Sequence, residues 1–418
     1  MNATSEPAVL VGVVTAKQQR RDVEEHLQEL ALLAETAGAT VVRTIIQTRT
    51  HPDPATFIGK GKVEELRQWL QDHQVHLVIF DDDLSPSQAR NLEQQWEAKV
   101  IDRTQLILQI FAQHARTREA RTQVELAQLE YLLPRLTRMW THLSKQYGGI
   151  GTKGPGEKQI EMDRRLFRSR IATLKRKLRQ INQQRQQQRK GRQQFLRFSL
   201  VGYTNAGKST LANVLANAGV YAADKLFATL DTITRKIVLP GGKPALLSDT
   251  VGFIRKLPPS LIASFHSTLA EIVESDILLH VVDISHPAYE EHIQVVLDTL
   301  RQLGADQKPI LTVFNKLDVL EDRQVLPYAL QHYAPAVAVS ATRGINITGL
   351  LEKMDEMATR HQIVLKLHVP YSEAAVIGQL YETGSILQRS DEEQGIRLVV
   401  RLPATQAAQF QHYLLPTS

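Results

Sequence analysis

Cysteine is absent from all 418 residues. No disulfide can form, and no thiolate can hold a metal, which suits a reducing compartment. Also missing is any apolar run long enough to cross a bilayer. The first residues, Met1-Asn2-Ala3-Thr4-Ser5-Glu6, lack the basic flank of a secretion signal, and the stretch from Ala8 to Val14 is short for a signal core. These absences lead us to expect a cytoplasmic protein with no membrane part. The remaining composition, 43% hydrophobic and 22% charged, is that of an ordinary globular chain with length for about three domains.

Charge is scarce nowhere but unevenly placed. Between Glu157 and Arg197 there are 14 Lys/Arg against 3 Asp/Glu, net +11, which leaves −5 on the rest of a chain whose total is +6. A concentrated basic element on an otherwise acidic chain is the electrostatic footprint of a polyanionic partner.

One stretch organises the chain. Gly202-Tyr203-Thr204-Asn205-Ala206-Gly207-Lys208-Ser209 fits G-x-x-x-x-G-K-[ST]. The apolar run Phe195 to Val201 before it reads as a buried strand, and Thr210 to Leu215 after it as a helix. In that setting backbone N–H groups curl around phosphate oxygens, with the helix dipole adding to the attraction. Lys208 can reach the β/γ oxygens, Ser209 can ligate Mg²⁺, and Thr210 is counted among the nucleotide-binding residues.

Three further motifs follow in order. Phe227-Ala228-Thr229-Leu230-Asp231-Thr232 is a loop with two candidate threonines. The strand Pro244 to Asp249 ends in Asp249-Thr250-Val251-Gly252, a D-x-x-G in which Asp249 suits Mg²⁺ through water and the Gly252 N–H suits a γ-phosphate. The strand Ile310 to Phe314 ends in Asn315-Lys316-Leu317-Asp318. A carboxylate at Asp318 can accept both N1–H and N2–H of guanine, a pair adenine does not offer. After one more strand, Ser340-Ala341-Thr342 can place a backbone N–H on guanine O6. Order, spacing and strand-end placement together indicate a guanine-nucleotide domain on a doubly wound sheet.

Upstream, strands at 8–14, 40–48 and 75–80 alternate with helices at 22–37, 62–71 and 86–96, which implies a small α/β domain. Its glycine-basic loop Phe57 to Lys62 could touch phosphate but reads more readily as a turn before a helix. Asp81-Asp82-Asp83, which could suggest a divalent-metal site, reads more readily as a solvated turn with helix capping before Ser85-Pro86. From Arg118, leucines 126, 129, 133 and 136, with Trp140 and Leu143, recur at spacings of three and four, with Pro134 expected to kink the helix. After the glycine-rich Tyr147 to Gly156, the stripe resumes at Ile160, Phe167, Ile171, Leu174, Leu178 and Ile181. Two such stripes around a short loop imply an antiparallel helical hairpin. Gly148 to Gly151 formally matches the GxxG of a KH module, but its flanks are long helices, so that reading is rejected. Arg164, Arg165, Arg168, Lys175 and Arg176 are expected on the outer face, where they can meet RNA phosphates. The expected glycine-tip contacts are Gly149, Gly151, Lys153 and Gly154.

The motifs Gly59-Lys60-Gly61-Lys62, Gly148 to Glu157, Phe227 to Asp231 and Asp249 to Phe253 resemble those of the HflX GTPases, over most of the chain. The resemblance implies a Mg²⁺-dependent GTP hydrolase that binds the large (50S) ribosomal subunit and its rRNA and splits stalled or idle 70S ribosomes. Assembly of the large subunit, or a nucleotide-locked scaffold, are the alternatives. It places the hairpin tip toward the peptidyl-transferase region and favours Thr229 over Thr232 as the switch Mg²⁺ ligand. Lys208, Thr229 and Gly252 are the implied catalytic set. Thr232 follows Asp231 where many relatives carry Pro, a departure within the switch loop. The expected architecture is an N-terminal α/β domain (1–117), a helical hairpin (118–194), a P-loop GTPase domain (195–360) and a small C-terminal α+β domain (361–418), in a monomer.

Overall fold

The computed structural model describes residues 5–16, 18–139, 155–189, 195–216, 226–227, 229–256, 261, 266–360, 362–383 and 385–415. It divides into two compact units. One comprises Met1–Ile181 with the segments Asp224–Leu230 and Lys256–His266; the second comprises Asn182–Ala223, Asp231–Arg255 and Ser267–Ser418.

The first unit opens with β1 (Glu6–Val14), α1 (Arg20–Thr36), β2 (Ala39–Thr48), α2 (Lys60–Asp72), β3 (Leu77–Phe80), α3 (Pro86–Trp96), β4 (Lys99–Asp102) and α4 (Arg103–His114). The four strands run parallel in the order β2-β1-β3-β4. β1 is buried from Ala8 to Val14, as a strand covered on both faces must be. Val23, Leu27, Leu30 and Leu33 of α1 are buried at helical spacing. Lys60, Gly61 and Lys62 form the first turn of α2, so the glycine-basic stretch is a helix start. Ser85 caps α3 through the Gln88 N–H, with Pro86 in the first turn. The aspartate run at the end of β3 departs from expectation. Asp81 is 1% exposed rather than solvated, and the cap of α3 is Ser85, not the run.

α5 (Arg118–Met139) continues through Pro134, and α6 is Pro155–Arg189. Leu126 packs with Leu174 and Leu178, beside Leu129 and Ile171. Arg170 pairs with Glu125 at 2.6 Å and Lys175 with Glu130 at 2.8 Å. Phe167 is only half-buried, and Leu166 is 69% exposed. Trp140, Leu143 and the glycine tip through Gly154 lie outside the described residues.

In the second unit, β5 (Leu196–Gly202), α7 (Lys208–Leu215), β6 (Ile233–Val238), β7 (Pro244–Asp249), α8 (His266–Glu274, from Ser267 in this unit), β8 (Ile277–Asp283), α9 (Tyr289–Gln302), β9 (Ile310–Asn315), α10 (Val325–His332), β10 (Ala336–Ala338) and α11 (Ile347–Arg360) build a doubly wound domain. Its six strands run β10-β9-β8-β5-β7-β6, all parallel except β6. Phe198 and Leu200 of β5 are fully buried with Leu247, Leu279, Val281, Leu311 and Val313. β5 sits where the winding changes direction, and its carboxyl end opens the crevice in which such sheets bind ligands. Beyond it, β11 (Gln362–Pro370), α12 (Ala374–Thr383), β12 (Ser385–Glu392) and β13 (Gly395–Pro403) form an antiparallel sheet in the order β11-β13-β12. The final helix, Ala404–Tyr413, is of the 3-10 type, with Phe410 in the core. No helix among the described residues is long and apolar enough to cross a membrane.

Candidate guanine-nucleotide site

The loop between β5 and α7 is built around Gly207, which caps α7 with φ +89°. A Cβ there would stand 2.2 Å from Asn315 Nδ2, so only glycine combines that backbone angle with that approach. Lys208 follows, 6% exposed, and its Nζ donates to the carbonyl oxygens of Gly202 at 3.0 Å and Tyr203 at 2.7 Å. Burial pulls its pKa down to about 8, with Asp249 opposing the shift. Ser209 Oγ donates to Asp249 Oδ2 at 2.7 Å. This joins a hydroxyl from the start of α7 to a carboxylate at the end of β7, a pair of hard oxygen donors of the kind Mg²⁺ prefers.

The D-x-x-G turn presses on the same loop. Thr250 Oγ1 donates to the Leu200 carbonyl at 2.6 Å, and Val251 is buried. The Phe253 N–H donates to Gly202 O at 3.1 Å, and its carbonyl accepts from the Thr204 N–H at 2.7 Å. Phe253 itself is 2% exposed.

At the end of β9, Asn315 Nδ2 donates to Ala206 O at 2.9 Å, and Asn315 Oδ1 accepts from the Ala341 N–H at 3.0 Å. Lys316, at φ +63°, extends Nζ to Asp283 Oδ2 at 2.7 Å. The Leu317 N–H donates to Val339 O. Ser340 Oγ donates to Asp318 Oδ1 at 2.5 Å and lies 3.3 Å from the Thr342 hydroxyl. Motifs from β5, β9 and the β10 loop therefore meet in one constellation, as their order in the sequence implies.

Of the expected switch-loop residues, Phe227, Thr229 and Leu230 belong to the first unit, Asp231 to the second, and Ala228 lies outside the described residues. On the basic helix, Arg165, Arg168 and Arg176 are exposed and Arg164 is half-buried, while Lys175 is the side chain already paired with Glu130. Gly149, Gly151, Lys153 and Gly154 lie outside the described residues. Sequence reasoning missed a small cluster beside the phosphate loop. The Tyr203 ring stacks on His292 of α9, centroids 3.8 Å apart, while its hydroxyl accepts from the Arg255 N–H at 3.0 Å. The Arg255 guanidinium reaches Glu291 at 3.0 Å. No spacing ties α9 to the loop, so nothing in the sequence announces this contact.

A doubly wound sheet with a G-x-x-x-x-G-K-S loop after β5, an aspartate at the end of β7 and N-K-x-D after β9 defines a P-loop GTPase, an enzyme of GTP hydrolysis that generally works with Mg²⁺. Residues 24–112 match the family described as GTP-binding GTPase N-terminal, 114–192 the GTP-binding GTPase Middle Region, and 197–316 the 50S ribosome-binding GTPase. The chain belongs to the GTPase HflX family. It is 52% identical to GTPase HflX of Flavobacterium psychrophilum over 75% of this chain and 76% of that protein. With GTPase HflX of Escherichia coli it shares 43% identity over 95% of this chain and 94% of that one. A GTP-binding protein from Sulfolobus solfataricus, solved in complex with GDP, is 26% identical over 85% of this chain and 99% of that chain, with a TM-score of 0.45.

Proposed function

We propose that this GTPase binds the large (50S) ribosomal subunit in the cytoplasm, as a monomer, and separates stalled or idle 70S ribosomes, with GTP binding and hydrolysis as the switch. The boundaries expected at 117, 194 and 360 would then give nucleotide chemistry to the third part and RNA contact to the second. In this reading Gly202 to Thr210 cradle the phosphates, Lys208 neutralises β/γ oxygens, and the Gly252 N–H donates to the γ-phosphate. Ser209, Thr229 and, through water, Asp249 would hold Mg²⁺, which when bound offsets charge on the transferring phosphate. Asp318, oriented by the Ser340 hydroxyl, accepts from guanine N1–H and N2–H, and the Ser340 to Thr342 segment supplies the donor to O6. Phe227 to Asp231 and Asp249 to Gly252 are the segments that answer to the γ-phosphate.

The observation that carries the ribosomal part is the exposed arginine face of α6, which includes Arg165, Arg168 and Arg176 and lies in a chain whose nucleotide domain matches a 50S ribosome-binding GTPase family. Such a face is too charged to bury against protein and suits the backbone of folded RNA. Sedimentation of 70S ribosomes with the protein plus GTP or a non-hydrolysable analogue tests the reading. Separation into subunits is the expected result. An intact 70S peak, with the protein found only on immature large subunits, would replace it with a role in assembly.

A further inference from the structure

The Tyr203 side chain and the two histidines beyond it take no part in the chemistry proposed above, and all three lie in the second unit. Tyr203 follows Gly202 directly and brings the one aromatic ring to the phosphate loop. It is 5% exposed, and its ring lies on His292 with the planes 7° from parallel. His286 meets the His292 ring in turn, centroids 4.4 Å apart, and its Nδ1 accepts from the Ala288 N–H at 3.1 Å. His292 sits near the start of α9, a helix whose Ile293, Val296 and Leu300 are buried. Burial, with His286 and Arg255 beside it, lowers the His292 pKa to about 3, so a neutral imidazole faces the Tyr203 ring.

That stack reaches Lys208 through one backbone atom. The Lys208 ammonium is seated on the carbonyl oxygens of Gly202 and Tyr203, at 3.0 and 2.7 Å. Gly202 closes β5, and the sheet fixes it. Tyr203 lies one residue past the strand and is held from two directions. On one side is the segment after D-x-x-G: the Arg255 N–H donates to the Tyr203 hydroxyl at 3.0 Å, and the next N–H along the loop, of Thr204, donates to Phe253 O at 2.7 Å. The stack is a support of different origin, since it comes from a helix set in the core. An ammonium whose seat is fixed in advance spares a bound phosphate the cost of ordering it.

We propose that His292 is a positioning residue for Lys208: stacked on Tyr203, it keeps in place the carbonyl that seats the ammonium, and thereby raises affinity for nucleotides that carry a β-phosphate. The inference rests on the reading of Lys208 as the group that neutralises β/γ oxygens. His292 acts on the nucleotide through Tyr203, so its effect must vanish when that ring is gone.

Affinities for GDP and for GMP, which has no β-phosphate, are to be titrated on the full chain carrying His292→Leu, Tyr203→Leu or both, with His292→Phe as the conservative variant. Leucine fills the space without a ring and phenylalanine restores one, and melting curves set a temperature at which every variant is folded. GDP should bind about three- to tenfold more weakly to His292→Leu, the worth of one aromatic stack, while GMP affinity holds. His292→Phe should bind GDP as the parent does. The double variant should lose no more than Tyr203→Leu alone. Unchanged GDP affinity in His292→Leu, equal losses for GDP and GMP, no recovery in His292→Phe, or additive losses would overturn the inference while leaving the site reading intact. A parent that binds GMP as tightly as GDP would overturn both.

Discussion

Asn315 Nδ2 donates to the carbonyl of Ala206 across 2.9 Å, fastening the guanine motif at the end of β9 to the phosphate loop after β5. Its Oδ1 holds the Ala341 N–H at the same time, and Asn315 is 2% exposed. One buried amide thus ties three loops together. Asn315→Ala strands a buried acceptor and a buried donor, each costing about 1–3 kcal/mol. We expect affinity for GDP, GTP and xanthine nucleotides to fall together by at least about tenfold, with a lower melting temperature. Selective loss of guanine alone, in parallel titrations, would count against the role as a tie.

Asp318 is the contrasting position. Its carboxylate is held by the Ser340 hydroxyl and presents an acceptor edge. In Asp318→Asn the amide offers a donor where xanthine carries a carbonyl oxygen. GTP binding should weaken by roughly 2–3 kcal/mol and xanthine nucleotide binding should improve. Unaltered GTP affinity would remove Asp318 from the base pocket.

The contrast shows what the sequence made legible. Motifs at strand ends were readable because the sheet forces the carboxyl ends of β5, β7 and β9 to one edge. β4 and α4 were not. Val100 and Ile101 are too short a run to stand out. α4 buries Leu106, Ile107, Leu108, Ile110 and Phe111, so it lacks the one-sided period of a surface helix. The run of three aspartates misled for a related reason. Its partners, Arg103 and Lys256, are remote in sequence, and composition alone favours a solvated turn. The stack of Tyr203 on His292 was illegible because no local pattern joins the phosphate loop to α9.

His280 lies in the centre of β8, 2% exposed, and burial, with Lys208 nearby, lowers its pKa to about 3. In the unfolded chain it takes a proton near pH 6.5. Between those values the unfolded state binds more protons, so stability is present above pH 6.5 and is lost as pH falls below it. His280 alone should cost about 1 kcal/mol for each pH unit below 6.5. His292, lowered to about 3 by burial, His286 and Arg255, acts in the same direction. Urea unfolding at pH 7 and pH 5.5 should show His280→Leu losing less stability across that interval than the parent. An equal loss in both would show that His280 does not stay neutral.

Many GTPases carry Gln directly after D-x-x-G to orient the attacking water. Here the position is Phe253, whose ring is 2% exposed and whose backbone is laced to Gly202 and Thr204. It offers no side-chain donor or acceptor to the water. We expect the isolated protein to hydrolyse GTP at about 10⁻³ s⁻¹ or less, with strong acceleration by the large subunit. Single-turnover hydrolysis with and without ribosomes measures this. Fast turnover that ribosomes leave unchanged would mean that another group in the chain positions the water.

The basic helix separates into two sets of cations with different expected roles. All are exposed, but Arg170 and Lys175 bond Glu125 and Glu130 and so help seat α6 on α5. Arg165 and Arg176 share the opposite side of the same helix from Leu174 and Leu178, with Arg168 at its edge. Reversing Arg164, Arg165, Arg168 and Arg176 to Glu should abolish binding to the large subunit and flatten its salt dependence, since each phosphate contact releases counterions. Arg170→Glu with Lys175→Glu sets like charges against each other and should lower thermal stability as well. Shortening the glycine segment from Gly148 to Gly156 tests a different step. The sequence carries no bulky side chains there other than Tyr147 and Ile150, and in the proposed function this is the segment that meets RNA. The shortened chain should dock and hydrolyse GTP yet leave 70S ribosomes joined. Splitting at the parent's rate would show that the segment is only a turn and that the arginine face does the work.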